Sequence, residues 1–370
     1  MGVILLMEND KMILELLDRK RNVILMGAPG TGKSRLINKV AELFENNNGA
    51  IDTPSHEVGA AVPIPAVKKS GIDVGFLKKK NRKIFRTTLH QNSKYRDFLT
   101  GIVPAIKKDG EFEICEGILY RANEFAKQED SAALLIIDEL NRGPAIEVFG
   151  GSIVAIENDK RLADDNSWTA TTQSFEILDP LTGKMIEYAF SNNLYILAAM
   201  NQADVSVAPL DVAFLRRWQP FKLEPDYSVL EKKYGIDMSL SAPDQPESVK
   251  DVYLVATKAL KVINDKIIIG RGEDYQLGQG VFLSSEPKGS SIIDALEFIC
   301  EIWSMIYAHI EELFFGDIRA ISYIVNSECE LSPYGMKEEN FAGEIKNILF
   351  KRPISTENIY NLYLAIERNN

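Results

Sequence analysis

Residues 27–34 read G-A-P-G-T-G-K-S and fit the phosphate-binding pattern G-x-x-x-x-G-K-[ST]. An apolar run, Val23-Ile24-Leu25-Met26, comes just before. A helical pattern comes just after, with Leu36, Ile37, Val40, Leu43 and Phe44 on one face. Strand, glycine loop and helix in that order is the context the pattern needs. Gly27, Gly30 and Gly32 let backbone N–H groups turn inward around an anion with no Cβ in the way. Ala28, Pro29 and Thr31 complete the loop. Lys33 brings a point charge to the outer phosphates, and Ser34 offers a hydroxyl to Mg²⁺. Arg35 lies in the first turn of the helix, whose positive dipole end adds to the field.

Two further stretches complete a site around that loop. Residues 133–137, Ala-Leu-Leu-Ile-Ile, end in Asp138-Glu139. A strand with no polar alternation is buried on both faces, as in a parallel sheet. Acids at its carboxyl end point into the crevice where such sheets bind ligands. Asp138 is placed to hold Mg²⁺ through water, and Glu139 to orient or activate an attacking water. Residues 194–199 form a second buried run, followed by Met200-Asn201-Gln202-Ala203-Asp204. The Asn201 amide is placed to touch the γ-phosphate or its water. Residues 210–218 carry Arg216-Arg217. These arginines suit a solvated helix end, or a guanidinium delivered to a neighbouring subunit's nucleotide.

Around these parts the pattern predicts a helix over 8–20, a strand over 84–89, and a short strand and then a helix within 111–129. A helix starting at Pro144 would bury Ile146, Phe149, Ile153 and Ile156. Residues 160–192 read as a β-hairpin region, and 221–223 as a last short strand. After about Asp226 the α/β alternation stops. Helices are predicted over 248–264, 290–313, 317–326 and 355–368, with an extended, glycine-broken segment at 275–283. The expected domains are therefore 1–226, a large α/β nucleotide-binding domain, and 227–370, a mostly helical lid domain. Residues 50–83 carry three prolines and a basic run of Lys78, Lys79, Lys80, Arg82 and Lys83. They read as an exposed insertion; the alternative is a loop that meets nucleic acid or a partner by charge.

Composition narrows the class. The chain has 370 residues, 45% hydrophobic and 26% charged, with a formal net charge of −11. That is ordinary for a globular protein and a poor bulk field for nucleic acid. No apolar run approaches a membrane span. The cysteines Cys115, Cys300 and Cys329 lie far apart, without C-x-x-C, which argues against a disulfide framework and a zinc site. A reduced, cytoplasmic protein is expected.

Five stretches together resemble the AAA+ motor of the McrB family, the GTP-hydrolysing subunit of bacterial modified-cytosine restriction systems. They are G-A-P-G-T-G-K-S, Y-R-D-F-L-T-G-I-V-P, L-L-I-I-D-E-L-N-R-G, A-A-M-N-Q-A-D and L-D-V-A-F-L-R-R-W, within about residues 20–220. Y-Q-L-G-Q-G-V-F-L resembles the family's late G-x-x-x-F segment. The resemblance implies an α/β P-loop NTPase with a five-stranded parallel sheet and a carboxy-terminal helical lid. It implies that Asn201 is sensor 1, that Asp204 is the acid of the N-T-A-D signature, and that Arg216 and Arg217 lie in the finger region. Asn141 and Arg142 match the extension after the Walker B acids. The chain departs from the family at Val205, where an arginine is usual, and at Trp218, where phenylalanine is usual. It also starts at the motor, so the resemblance implies a protein without the family's DNA-reading domain.

The resulting expectation is an AAA+ NTPase that hydrolyses ATP or GTP with Mg²⁺. It would work as a homo-oligomeric, hexameric ring that drives a McrC-like nuclease or another effector, touching DNA indirectly or through a loop, with no membrane partner. The alternatives are a MoxR-like remodelling chaperone and a nucleotide-dependent switch or scaffold.

Overall fold

The computed structural model describes residues 2–45, 74–105, 111–201, 203 and 210–369. Asp204, Val205 and most of the 50–83 insertion lie outside the described residues. In chain order the elements begin with α1 (Gly2–Lys20), β1 (Asn22–Gly27), α2 (Lys33–Glu45), β2 (Asn81–Thr88) and α3 (Tyr95–Phe98). Next come β3 (Thr100–Pro104), β4 (Phe112–Glu116), α4 (Ile118–Ala126), β5 (Ser131–Asp138) and α5 (Ala145–Phe149). Then follow β6 (Phe175–Leu178), β7 (Met185–Tyr188), β8 (Leu194–Met200), α6 (Val212–Leu215) and β9 (Gln219–Leu223). The chain closes with α7 (Ser228–Tyr234), α8 (Val249–Gly270), α9 (Ile292–Leu313), α10 (Ile318–Ile324), β10 (Tyr334–Phe341), β11 (Glu344–Lys351) and α11 (Ile359–Glu367). Two compact units result, one of Leu6–Met26 with Lys33–Lys222, the other of Met1–Leu5, Gly27–Gly32 and Leu223–Asn370.

The first unit is built on the five-stranded sheet, in the order β2-β5-β8-β1-β9. The β2–β5, β5–β8 and β8–β1 pairs are parallel. Every residue of β8 is buried, and β5 is buried until Asp138. A strand covered on both faces has to be apolar throughout, and these two are. Ala198 of β8 faces Ile24 of β1 on one side and Ile137 of β5 on the other, so the three strands end level. At the sheet edge Thr88 pairs with Asp138. Leu135, Ile137, Ile196 and Ala198 share one core with Phe149, Phe214 and Trp218. Two antiparallel hairpins, β3–β4 and β6–β7, stand apart from the sheet.

Arg161 ties this unit together from inside. Its guanidinium is buried and donates to Ile156 O at 3.0 Å, Ser191 O at 3.3 Å, Leu194 O, and Asn22 Oδ1 at 2.6 Å. Asn22 in turn donates to Ile156 O at 2.7 Å. The start of β1 and the start of β8 are thereby fixed to the same side chain. Burial lowers the guanidinium to about 9.

One expected helix is shorter than its pattern. After Pro144 the α-helix runs only over Ala145–Phe149, and Gly150 turns to φ +50°. A 3₁₀ turn, Gly150–Ile153, follows. Ile146 is therefore exposed and Ile153 half-buried, while Phe149 and Ile156 are buried as expected. The 3.6-residue period holds only while the helix is unbroken.

In the second unit, α8 and α9 each start with a reciprocal cap. Ser248 N donates to Asp251 Oδ2 at 2.7 Å and Asp251 N to Ser248 Oγ at 3.3 Å. Ser291 and Asp294 repeat the arrangement at α9. Here Asp replaces the usual Glu or Gln of such a box. Ile263, Ile299, Trp303, Leu362 and Tyr363 join one core. The β10–β11 hairpin falls where no element was predicted. Its strands are mostly exposed and rich in Lys, Glu and Asn, so no apolar alternation marks them.

Asp10 of α1 is buried beside α2. Burial pushes its carboxyl up to about 6, Lys39 and Arg35 oppose that shift, and Glu42 adds to it. The unfolded chain releases this proton near pH 4, the folded one near 6, so stability falls as pH rises through that window. Asp10→Asn is expected to raise the melting temperature at pH 7.5 and to match the wild type below pH 4. Equal melting temperatures at pH 7.5 would show that Asp10 carries no such penalty.

Candidate functional site

At the ends of the sheet strands the first unit gathers most of the residues expected to act on a phosphate. Lys33 opens α2 and is half-buried, and Ser34 and Arg35 after it are exposed. Burial lowers the Lys33 ammonium and the nearby Glu139 carboxylate raises it again. The two side chains therefore share one field. Asp138 ends β5; burial raises its carboxyl, and Arg86 of β2 opposes the rise. A half-buried carboxylate of this kind suits a divalent cation, which would restore the charge that burial disfavours. Among the described residues no group of three or more His, Cys, Asp or Glu could hold a metal. A cation at Asp138 would thus need Ser34 and the nucleotide's own oxygens as further ligands.

Glu139 adopts the left-handed conformation, φ 53° and ψ 50°. This is rare for a residue with a long side chain and costs on the order of 1–3 kcal/mol. The turn is held by Arg142 N donating to Glu139 O at 2.9 Å. Arg142 Nε also lies 3.3 Å from Glu139 Oε2. That oxygen is buried and accepts no hydrogen bond. The conformation turns the chain sharply at the strand end, immediately after Asp138.

Asn201 follows β8, between the strands that lead to residues 27 and 138. Asn141 Nδ2 donates to its backbone oxygen at 2.8 Å. The turn after β5 is therefore tied directly to the end of β8. The Asn201 and Asn141 side-chain oxygens are both buried and accept no hydrogen bond. Buried acceptors of this kind are rare without a ligand or a strain role.

The two arginines have different surroundings. Arg217 Nε lies 3.0 Å from Glu157 Oε1, with the arginine side chain 7% exposed, and the guanidinium also reaches Ala213 O. Arg217 is thus held within its own unit. Arg216 is exposed; its backbone N–H donates to Val212 O at 3.0 Å, while its guanidinium has no ion pair or hydrogen bond among the described residues. Phe214 and Trp218 set this division, because both are buried, their ring centroids 5.4 and 6.2 Å from that of Phe149. Trp218 is a core residue. Asp211 caps the short helix by accepting from Ala213 N at 2.9 Å.

In the second unit lies the loop itself. Gly30 and Gly32 have φ of +77° and +96°, which only glycine adopts without strain. A Cβ on Gly27 would come 2.5 Å from Leu223 O. Thr31 Oγ1 donates to Ala28 O at 2.9 Å. Positive-φ glycines let the loop's backbone N–H groups turn toward an anion, so the loop suits a bound phosphate group.

The basic run at 78–83 is largely engaged within the chain. Arg82 donates to Phe44 O and Leu77 O, both at 2.6 Å, and to Lys79 O at 3.1 Å. Lys80 lies 3.5 Å from Asp130, and Lys83 sits over the rings of Phe85 and Phe125.

The AAA domain family matches residues 16–158. The Type IV methyl-directed restriction enzyme EcoKMcrB subunit of Escherichia coli (strain K12) is 26% identical over 311 residues, which cover 82% of this chain and 56% of that protein. The Type II restriction enzyme BsuMI component YdiS of Bacillus subtilis (strain 168) is 31% identical over 214 residues, covering 54% of this chain and 55% of that protein. The chain carries an AAA-type P-loop NTPase domain and is similar to McrB and to a BsuMI restriction component. It spans about half the length of the curated relatives it matches. Among solved structures, a putative ATPase from Cytophaga hutchinsonii is 15% identical, with 87% of this chain and 84% of that one covered and a TM-score of 0.31. A superposition so loose adds nothing to the assignment.

Two parts of the arrangement escaped the sequence reading. The Asn141–Asn201 bond links residues sixty positions apart, and no local signal announces it. The approach of Arg86 to Asp138 follows from parallel pairing at the sheet edge and is equally invisible. Asn141→Ala is expected to lower kcat about tenfold, the effect of one hydrogen bond lost from a positioned group, with nucleotide Kd unchanged. Steady-state kinetics alongside equilibrium binding check this, and an unchanged kcat would remove Asn141 from the catalytic arrangement.

Proposed function

We propose that this ATPase is the motor of a ring-forming assembly that drives a nuclease or another effector subunit in DNA restriction. One observation carries the catalytic part: Lys33 and Glu139 share a field while Asn141 ties the Glu139 turn to Asn201. In this reading residues 27–34, with Arg35 at the start of α2, bind the phosphates of ATP or GTP. Ser34 and Asp138 would hold Mg²⁺, which supplies charge neutralisation at the transferring phosphoryl group. Lys33 neutralises charge developing on the outer oxygens. Glu139 accepts a proton from, or orients, the attacking water, and the Asn201 amide holds that water or the γ-phosphate. Asp204, outside the described residues, is proposed to assist hydrolysis by its match to the family signature.

Arg216 supports the ring part of the reading. It is exposed at the end of a helix that Phe214 and Trp218 anchor in the core, so its base is fixed while its guanidinium is available to another subunit. Of the two arginines, Arg216 is therefore the proposed finger, and Arg217 the residue that holds the helix end. A hexameric ring would place each Arg216 at a neighbour's nucleotide. The restriction role rests on similarity to the two restriction-system proteins. Contact with DNA would be indirect or through a loop. A cytoplasmic setting suits the three free cysteines, and no described helix is long and apolar enough to cross a membrane. No observation favours the chaperone reading over this one.

Glu139→Gln is expected to bind nucleotide as the wild type does and to lose about a hundredfold or more in phosphate release. Hydrolysis at the wild-type rate would remove Glu139 as the base. The arginines provide a separate test. Arg217→Ala is expected to lower the melting temperature, because it strands Glu157. Arg216→Ala is expected to keep the melting temperature and lose hydrolysis. Mixing Arg216→Ala with Lys33→Ala subunits is then expected to restore activity, since each supplies what the other lacks. Failure of the mixture to hydrolyse would count against a site shared between subunits.

A further inference from the structure

The segment 275–283 binds the loop of residues 27–32 through its backbone. Gly278 N donates to Pro29 O and Gly280 N to Gly30 O, both at 2.8 Å. The side chain of Gln279, between them, is buried. Its Nε2 donates to Thr31 O at 3.2 Å, and its Oε1 accepts from Asp226 N at 3.0 Å. With Thr31 Oγ1 on Ala28 O, four consecutive loop carbonyls, 28 to 31, are engaged.

The approach tolerates no side chain. A Cβ on Gly278 would lie 2.1 Å from Gly30 C and 2.2 Å from Thr31 N. A Cβ on Gly280 would lie 2.7 Å from Gly30 O. The segment is itself anchored. Asn264 of α8 is fully buried; its Nδ2 donates to Leu277 O at 2.8 Å and its Oδ1 accepts from Leu277 N at 2.7 Å. His309 Nε2 of α9 lies 2.9 Å from Tyr275 O.

We propose that Gly278-Gln279-Gly280 is a positioning strap for the phosphate loop, with Gln279 as its specific residue. The proposal rests on the reading of residues 27–34 as the nucleotide site. Carbonyls held on one edge leave the loop's N–H groups committed to the other, the arrangement that makes an anion nest. A loop ordered before the nucleotide arrives loses less conformational freedom on binding, so affinity depends on the strap. Through its bond to Asp226 N, the same amide also joins the loop to the start of the segment that leads into α7.

The test uses the full chain with ATP and GTP as probes, reading nucleotide Kd and the melting temperature of the nucleotide-free protein. Gln279→Ala is expected to raise Kd about tenfold for both nucleotides with little change in melting temperature. Gln279→Glu keeps the acceptor for Asp226 N but cannot donate to Thr31 O, and is expected to do at least as much. Gly151→Ala, where a Cβ meets nothing within 4 Å, serves as the control. A lowered melting temperature with unchanged Kd would make the strap merely structural and overturn the proposal. If the variants fail to fold, hydrogen exchange on the wild type decides. The Gly278 and Gly280 amides are expected to exchange more slowly with nucleotide bound, and unchanged exchange overturns the strap. Lys33→Ala separates the two levels. Wild-type affinity in Lys33→Ala would overturn the loop assignment and the strap with it, whereas loss there with no loss at Gln279 would overturn the strap alone.

Discussion

Parallel pairing of β1, β8 and β5 is the constraint on which the site depends. The three strands end level because Ala198 faces Ile24 and Ile137 in one continuous ladder. A shift of one residue would turn every side chain to the other face and move Asp138 away from the strand end. Such a sheet forms only if both faces are covered, which is why β5 and β8 carry unbroken apolar runs. Burial thus supplies the geometry: strands that must be apolar to be central deliver their first polar residues together at one edge.

The turn after β5 shows how local strain is fixed by long-range bonds. Glu139 is left-handed, and nothing in its own chemistry favours that. Two contacts within the turn hold it, the Arg142 N bond to Glu139 O and the Arg142–Glu139 ion pair. Asn141 then joins the turn to Asn201. The Asn141 and Asn201 side-chain oxygens accept no hydrogen bond in this buried setting, which leaves them open to further polar contacts. In the other unit the phosphate loop has the same character. Its glycine conformations are made accessible by the absence of Cβ atoms and made definite by the strap across its carbonyls.

Much of this was legible in the sequence, for identifiable reasons. The phosphate loop is short and its residue types are dictated by close approach to an anion, so its pattern survives without context. The buried strands announce themselves because alternation is impossible where both faces are covered. Arg216 and Arg217 were legible only as a pair. Two adjacent arginines look alike in sequence, and it takes the inward Phe214 and Trp218, and Glu157 sixty residues away, to tell Arg217 from Arg216. The helix after Pro144 was read too long because one glycine ended it, and the β10–β11 hairpin was missed because its exposed strands need no apolar pattern. The glycine-broken segment at 275–283 is visible in the sequence, but its contact with residues 29–31 is not. Two glycines one residue apart signal close backbone contact without naming the partner, which lies some 250 residues earlier.

In the proposed mechanism the residues gathered at the strand ends hydrolyse a nucleoside triphosphate in a site completed by a second copy of the chain. Steady-state phosphate release with ATP and with GTP, measured over a range of protein concentrations, tests it most directly. Release is expected with at least one nucleotide, at a specific activity that climbs with protein concentration and then levels off. No release above the Lys33→Ala background with either nucleotide, at any concentration, would contradict it.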